Sequence, residues 1–232
     1  MPEAPTPSPA PAEAAPPAPL PKLGAPPPWD RVEVQDRMHE QFAFATDAVF
    51  GVILGDLDAV HQRSQRLAAL PPPPDLPPAW HSYLDAMKVA ADRGATTPDL
   101  EAAASDVITI GRTCANCHSQ SHAGPTPTTD DVLGPGWPSE IAMHRHSYGT
   151  YLMWLGVVLP SDAVFRSGVE QLSHADAIPD VAPELVPLEA QVHALAAKAA
   201  SATDPQVRVD AFADLLRSCA ACHAAAGARI PR

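Results

Sequence analysis

The sequence predicts an all-α protein built from two tandem four-helix bundles, and three observations lead to that prediction. From Asp30 onward the chain is rich in alanine, leucine and helix-compatible polar residues, without the alternating pattern typical of strands. Proline-rich or glycine-containing breaks divide each half into four helical segments. Several short motifs then recur about 105 residues apart, which indicates an internal repeat.

The predicted helices follow from the positions of these breaks. In the first half they span about residues 31–54, 57–69, 78–93 and 98–118. In the second half they span about residues 138–158, 162–174, 183–201 and 205–225. Thr97-Pro98 and Asp204-Pro205 each offer an N-cap followed by proline at the first helical position, which predicts the start of the fourth helix in each half.

Three sequence matches define the repeat. Cys114 and Cys219 are 105 residues apart, and Met38-His39 recurs as Met143-His144 at the same spacing. Asp58-Ala59-Val60 matches Asp162-Ala163-Val164 at an offset of 104. A tandem duplication explains all three matches. It predicts a first bundle over 30–118, a linker over 119–137, a second bundle over 138–226 and a short tail over 227–232.

The N-terminal segment differs in composition from the rest. Residues 1–29 are dominated by proline and alanine, with 12 prolines among the first 28 residues. Such a segment favours extended polyproline II conformation and acts as a semi-rigid spacer. We expect a tether, and the alternative is a disordered tail without a role. It has no apolar core typical of a signal peptide.

Charge and hydropathy restrict the function classes. The chain has 15 Lys plus Arg against 27 Asp plus Glu, a formal net charge of −12. This balance argues against nucleic acid and favours partners with basic patches. No apolar stretch of about 18 residues is present, so we expect no membrane span in this chain.

All four cysteines lie in two copies of one pattern, Cys-x-x-Cys-His. The copies are CANCH at residues 114–118 and CAACH at residues 219–223. This pattern is typical of covalent attachment of haem c, with both thiols bonded to the haem and the histidine bound to the iron. A zinc site and a thioredoxin-like redox pair are the alternatives. We therefore expect two haem c groups, on Cys114, Cys117 and His118 and on Cys219, Cys222 and His223.

Each motif ends the fourth predicted helix of its half, and this arrangement resembles the cytochrome c prime family. FGVILGDLDAV and DLEAAASDVITIGRTCANCH look like that family's first loop and last helix. The resemblance covers about residues 30–118 and 138–226. It departs after each motif, where Ser119-Gln120-Ser121 and Ala224-Ala225-Ala226 replace the family's aromatic or basic residue. The resemblance implies one haem packed inside each four-helix bundle.

The sixth iron ligand decides the function. In relatives of this family the first helix builds the distal side, with an apolar residue in high-spin members and a ligating methionine in low-spin ones. Here that helix carries Met38-His39 or Met143-His144. Adjacent helical positions point about 100° apart, so one of each pair can face the haem. We favour His39 and His144, with Met38, Met143 and an open site as alternatives; His146 is a further candidate, although Gln41 occupies its repeat position.

These observations predict a low-spin di-haem cytochrome that carries single electrons between redox partners and is not an enzyme. A gas-binding protein with an open distal site for NO or CO is the alternative, and a haem peroxidase is a third. The resemblance to c-type cytochromes implies a periplasmic location, reached through a signal or anchor outside these residues, and the tether would then allow membrane attachment. We expect the redox partners to dock through basic patches. The two bundles in one chain would mimic a dimer of the family.

Overall fold

The computed structural model describes residues 32–121, 124–125, 127–132, 142–174, 177–179 and 181–227. Within these ranges all regular structure is helical. The predicted tether over 1–29, most of the tail, and the predicted helix start over 138–141 lie outside the described residues.

The described helices agree closely with the predicted ones. In the first half they are α1 (Val32–Ile53), α2 (Leu57–Ala69), α3 (His81–Gly94), preceded by a 3₁₀ turn (Pro78–Trp80), and α4 (Leu100–Ser121). A single turn, α5 (Thr129–Val132), lies in the predicted linker. The second half contains α6 (Ala142–Val158), α7 (Asp162–Ser173), α8 (Val186–Ala199) and α9 (Pro205–Ala226). The last turn of α4 also falls within the range predicted as linker.

The helix bounds repeat at one spacing. α8 and α9 begin and end 105 residues after α3 and α4, and α6 ends 105 residues after α1. The caps follow the same spacing: Asp56 accepts from the N–H of Ala59, and Ser161 accepts from that of Val164. The structural register is therefore 105 across α1 and α2. The match of Asp58-Ala59-Val60 at an offset of 104 is one residue out of this register.

The start of α4 corrects one sequence prediction. Asp99 Oδ1 accepts a hydrogen bond from the N–H of Ala102 at 2.8 Å, as an N-cap does, and the helix begins at Leu100. The predicted cap, Thr97, therefore lies too early. Asp204, which caps α9, is the repeat equivalent of Asp99.

Consecutive helices pack together within each half, and the first helix of each half also contacts the fourth. Glycines allow the closest approach between the first and second helices. A Cβ on Gly51 would lie 2.7 Å from Val60 Cγ2, and one on Gly156 would lie 2.5 Å from the backbone nitrogen of Phe165. Both contacts occupy the same repeat positions, so each half brings its first two helices together in the same way.

The two halves share one hydrophobic core. α4 packs along α9, and α1 and α6 each contact the fourth helix of the other half. The buried side chain of Trp154 on α6 lies against Gly111 on α4 and Phe212 on α9, and its indole Nε1–H donates to Thr46 Oγ1 at 3.0 Å. One continuous set of buried residues joins the halves. They are therefore packed against each other rather than held apart by a linker.

Among the described helices, none combines the length and the apolar character needed to cross a membrane.

Candidate functional site

The two cysteine motifs occupy equivalent places in the fold. Each lies near the C-terminal end of its helix, α4 or α9, three residues or more before the helix ends. All four thiols are half-buried, and none is in a disulfide. Because cysteines three positions apart lie on one face of a helix, each motif presents its two sulfur atoms together.

Burial keeps these thiols protonated. It raises the pKa of Cys114 to about 12, together with the charge of Cys117, and it raises the pKa of Cys117 to about 11. In the second half burial and the neighbouring Cys222 raise the pKa of Cys219 to about 12. Thiols that act as nucleophiles or redox sensors have lowered pKa values in electropositive, accessible sites. The four thiols therefore do not fit a thioredoxin-like redox pair.

His118 is held with one nitrogen available as a ligand. Its Nδ1 lies 2.7 Å from the carbonyl oxygen of Val158, at the end of α6, so the N–H is at Nδ1 and Nε2 keeps its lone pair. Burial lowers the pKa of the ring, which favours the neutral form, and the bond to Val158 opposes this in part. A histidine that binds a metal through Nε2 commonly donates Nδ1–H to such a carbonyl.

The second motif opens on a small cavity. This cavity encloses about 30 Å³, close to the volume of one water molecule. The lining residues come from α1, α6, α8, α9 and the segment before α8: Ile53, Met143, His146, Ser147, Thr150, Ile178, Glu189, Val192, Cys219, Cys222 and His223. Ile53 is the repeat equivalent of Val158. Each motif histidine is thus associated with the end of the first helix of the opposite half.

His146 is the most distinctive residue of this cavity. The side chain is 8 % exposed, and its buried Nε2 has no hydrogen-bond partner among the described residues. Burial lowers the pKa of the ring to about 4, with a further contribution from His193, while Glu189 opposes the shift. The ring is therefore neutral, and it lines the cavity together with both motif cysteines.

Two further polar side chains, His193 and Glu189, lie close to His146. Its ring lies edge-on to the ring of His193 with centroids 5.0 Å apart, and His193 Nδ1 lies 2.9 Å from the carbonyl oxygen of Leu172. One ligand atom from each of His146, Glu189 and His193 lies within 4.8 Å of the others. Glu189 is buried and accepts a hydrogen bond from the N–H of Ile178. These residues place a carboxylate and a second imidazole beside His146.

The distal residues predicted from the sequence lie in different environments. His39 and His144, the favoured candidates, are exposed, and His144 does not line the cavity. Met143 lines the cavity, and its equivalent Met38 is half-buried. His146, which the sequence suggested only as a further candidate, is brought together with the second motif. Its position was recognisable as three residues after Met143, on the same face of the helix.

In the first half, Gln41 occupies the position equivalent to His146. Its side chain is 6 % exposed, and its buried Nε2 also has no hydrogen-bond partner within the described part of the chain. The equivalents of Glu189 and His193 are Leu84 and Lys88. The first half therefore repeats the cysteine motif without the imidazole and carboxylate that accompany it in the second.

The two motifs lie at opposite ends of the α4–α9 pair. Gly111 and Phe212 both contact Trp154, whereas Arg112, one residue further along α4, pairs with Asp210, two residues earlier on α9, at 2.8 Å. This order indicates antiparallel helices. With a rise of about 1.5 Å per residue, the two motif histidines are about 25 Å apart along the helix axes.

The donor atoms suit a haem, whereas the cavity as it stands is too small for one. Paired thiols, a buried neutral motif histidine and a second buried imidazole are groups that can hold haem c. The cavity volume is only about 30 Å³, so the lining side chains would have to separate for a haem to bind. Comparison with protein-family models, with curated proteins and with solved structures finds no match to this chain.

Proposed function

We propose that this protein is a periplasmic di-haem c-type cytochrome that carries single electrons, with one haem attached inside each of two four-helix bundles. Haem 1 would be held by Cys114, Cys117 and His118, and haem 2 by Cys219, Cys222 and His223. Each haem iron, when bound, supplies a one-electron redox couple. The chain itself attaches the cofactor, provides the axial ligands and excludes water.

One observation favours this function above the others. A single cavity is lined by both thiols of the second motif, by its histidine and by the unpartnered imidazole of His146. A buried polar atom without a partner costs about 1–3 kcal/mol, and binding of a metal centre would remove that cost. Since the same helix bounds recur in the first half, the first motif would use the same scaffold.

The alternatives explain the cysteine motifs less well. A redox-active thiol pair requires a lowered thiol pKa, whereas burial raises the pKa of Cys114, Cys117 and Cys219. A zinc site of the Cys-x-x-Cys type usually takes four ligands from cysteine and histidine. The two motifs lie at opposite ends of a helix pair, so they cannot contribute four thiolates to one ion. In the first half Gln41 replaces His146, so zinc would leave that motif with two thiols and one histidine.

Location and partners follow from the proposed cofactor. Thioether attachment of haem, in bacteria that make c-type cytochromes, takes place outside the cytoplasmic membrane, so the protein would be exported. Its net charge of −12 would favour redox partners that dock through basic patches.

The test is a haem count on protein exported by a bacterial host that matures c-type cytochromes. We expect the intact mass to contain two haem groups that remain attached after denaturation. Cys114→Ala/Cys117→Ala and Cys219→Ala/Cys222→Ala should each lose one haem, and a reductive titration should then require one electron per remaining haem.

His39→Ala is the matched control, because His39 is exposed and should not change the haem count. A wild-type protein that is exported, folded and free of haem would contradict the proposal. Stoichiometric zinc that is lost together with the cysteines would contradict it equally.

A further inference from the structure

We propose that the two halves differ in their sixth iron ligand. In the second half His146 would be the sixth ligand of the iron. In the first half Gln41 replaces it, so the sixth position would stay exchangeable and bind a small neutral ligand such as CO. This inference rests on the proposed di-haem function. It divides that function between an electron-transfer site and a ligand-binding site within one chain.

The assignment of His146 follows from its surroundings. The His146 side chain lines the same cavity as Cys219, Cys222 and His223, and none of the described residues hydrogen-bonds to its buried Nε2. A neutral imidazole nitrogen is a common ligand of haem iron. The neighbouring groups, Glu189 and His193, lie close enough to orient the ring.

Other residues of α6 are poorer candidates. His144 is exposed and is absent from the cavity lining. Met143 lines the cavity, but a thioether packs in an apolar interior without needing a polar partner. A buried imidazole nitrogen requires a polar partner or a metal. Among the cavity-lining residues of α6, His146 has such a nitrogen without a hydrogen-bond partner in the described residues.

The first half lacks this ligand. Gln41 lies at the equivalent position on α1, equally buried, with an unpartnered amide nitrogen. An amide nitrogen has no free lone pair, and an amide oxygen suits hard cations rather than haem iron. Leu84 and Lys88 replace Glu189 and His193, so no imidazole or carboxylate stands at those positions either.

The difference also affects the reduction potentials. A carboxylate close to an imidazole ligand increases the basicity of that ligand and favours the oxidised metal. Glu189 acts electrostatically on both His146 and Cys222, which places it next to the second site. We therefore expect the haem of the second half to have the lower potential of the two.

The experiment is a titration of the fully reduced holoprotein with CO, with haem counted in the same sample. Wild type should bind one CO per two haems. His146→Gln should bind two, because the second iron is then open, and Gln41→His should bind none. His144→Gln is the matched control and should still bind one.

Several outcomes would overturn the inference. If the wild type binds two CO, neither iron has a strong sixth ligand from the protein. If it binds none, both irons have one. Recovery of CO binding in Met38→Ala would then identify Met38 as the sixth ligand in the first half. A CO count unchanged by His146→Gln would exclude His146. If His146→Gln does not fold, Gln41→His provides the test. Loss of CO binding in that variant would support the inference, and one bound CO would contradict it. A wild type without haem would instead contradict the proposed function.

Discussion

The two halves of the chain share an arrangement of helices and differ in the buried side chains near the cysteine motifs. Their third and fourth helices begin and end 105 residues apart, and both halves place Cys-x-x-Cys-His near the end of the fourth helix. His146 of the second half lines a cavity with its motif, and the equivalent buried position in the first half is Gln41. The comparison indicates that, under the proposed function, both halves would attach a haem and would differ in the ligand that they offer to its iron.

The contact between the halves shows a related difference. Trp154 of α6 fits over Gly111 of α4, whereas the equivalent positions are Val49 of α1 and Leu216 of α9. The first two positions hold a large residue and a glycine, and the two equivalent positions hold buried residues of intermediate size. The side-chain volume at these positions is thus distributed differently in the two halves.

Removal of the large partner should have the largest effect on stability. Trp154→Ala should lower the free energy of unfolding by about 3–5 kcal/mol, because it leaves a cavity between the halves and an unpaired Thr46 hydroxyl. Val49→Ala should cost only about 1.5 kcal/mol, from the loss of two buried carbons. Urea unfolding of both variants checks the difference, and equal losses would contradict the unequal packing.

Substitution of Gly111 tests the contact between Trp154 and Gly111 through the smaller residue. A Cβ on Gly111 would overlap the Trp154 ring, so Gly111→Ala should destabilise by about 1–3 kcal/mol. In a Trp154→Val background the same change should cost less, since the overlapping ring is gone. A double-mutant cycle of unfolding free energies measures this coupling. Strict additivity would show that the two residues do not compete for space.

The glycines between the first two helices of each half should respond unequally. A Cβ on Gly156 would meet the Phe165 backbone nitrogen, Cα and Cβ at 2.5–2.6 Å, so Gly156→Ala should cost about 1–3 kcal/mol. A Cβ on Gly51 would meet Val60 Cγ2 at 2.7 Å and backbone atoms only at 3.0 and 3.1 Å, so the overlap is smaller. Both changes gain about 1 kcal/mol of helix propensity, so Gly51→Ala should destabilise less than Gly156→Ala. Thermal melts of the pair would refute this if Gly51→Ala were the more destabilising.

The caps of the second helices should give the smallest difference. Asp56 Oδ1 accepts from Ala59 N at 3.0 Å, and Ser161 Oγ accepts from Val164 N at 3.4 Å. Asp56→Ala should cost about 1 kcal/mol. Ser161→Ala should cost a similar amount, because its longer cap bond is accompanied by donation from Oγ to the carbonyl oxygen of Pro127 at 3.0 Å. Chemical denaturation measures both, with Ser167→Ala, a half-buried residue of α7 outside the cap, as the control.

The sequence predicted the helices well because proline and glycine breaks mark their ends. The start of α4 was missed because Thr97-Pro98 resembles a cap, while Asp99 provides the hydrogen bond. The distal side was harder to predict. Met38-His39 and Met143-His144 were predicted as distal residues because the pair repeats in both halves. The buried residues nearby are Gln41 and His146, which differ between the halves. Repetition in sequence does not report which face of a helix is buried, and that face decides which side chain reaches the motif.

The contact between the halves was expected only from the resemblance, which implied that two bundles in one chain mimic a dimer. The residues themselves predicted a linker over 119–137 and no particular interface, whereas α4 and α9 bury apolar residues against each other as well as within their own halves. An apolar face gives no indication of whether its partner lies in the same repeat or in the other one.

The most direct test of the account is electron paramagnetic resonance of the oxidised holoprotein, with spins counted against its haem content. The account expects two haems per chain, one low-spin signal from the second half and one high-spin signal from the first, in equal amounts. His146→Gln should convert the low-spin signal to high-spin. Two low-spin signals, two high-spin signals, or a ratio unchanged by His146→Gln would contradict the account.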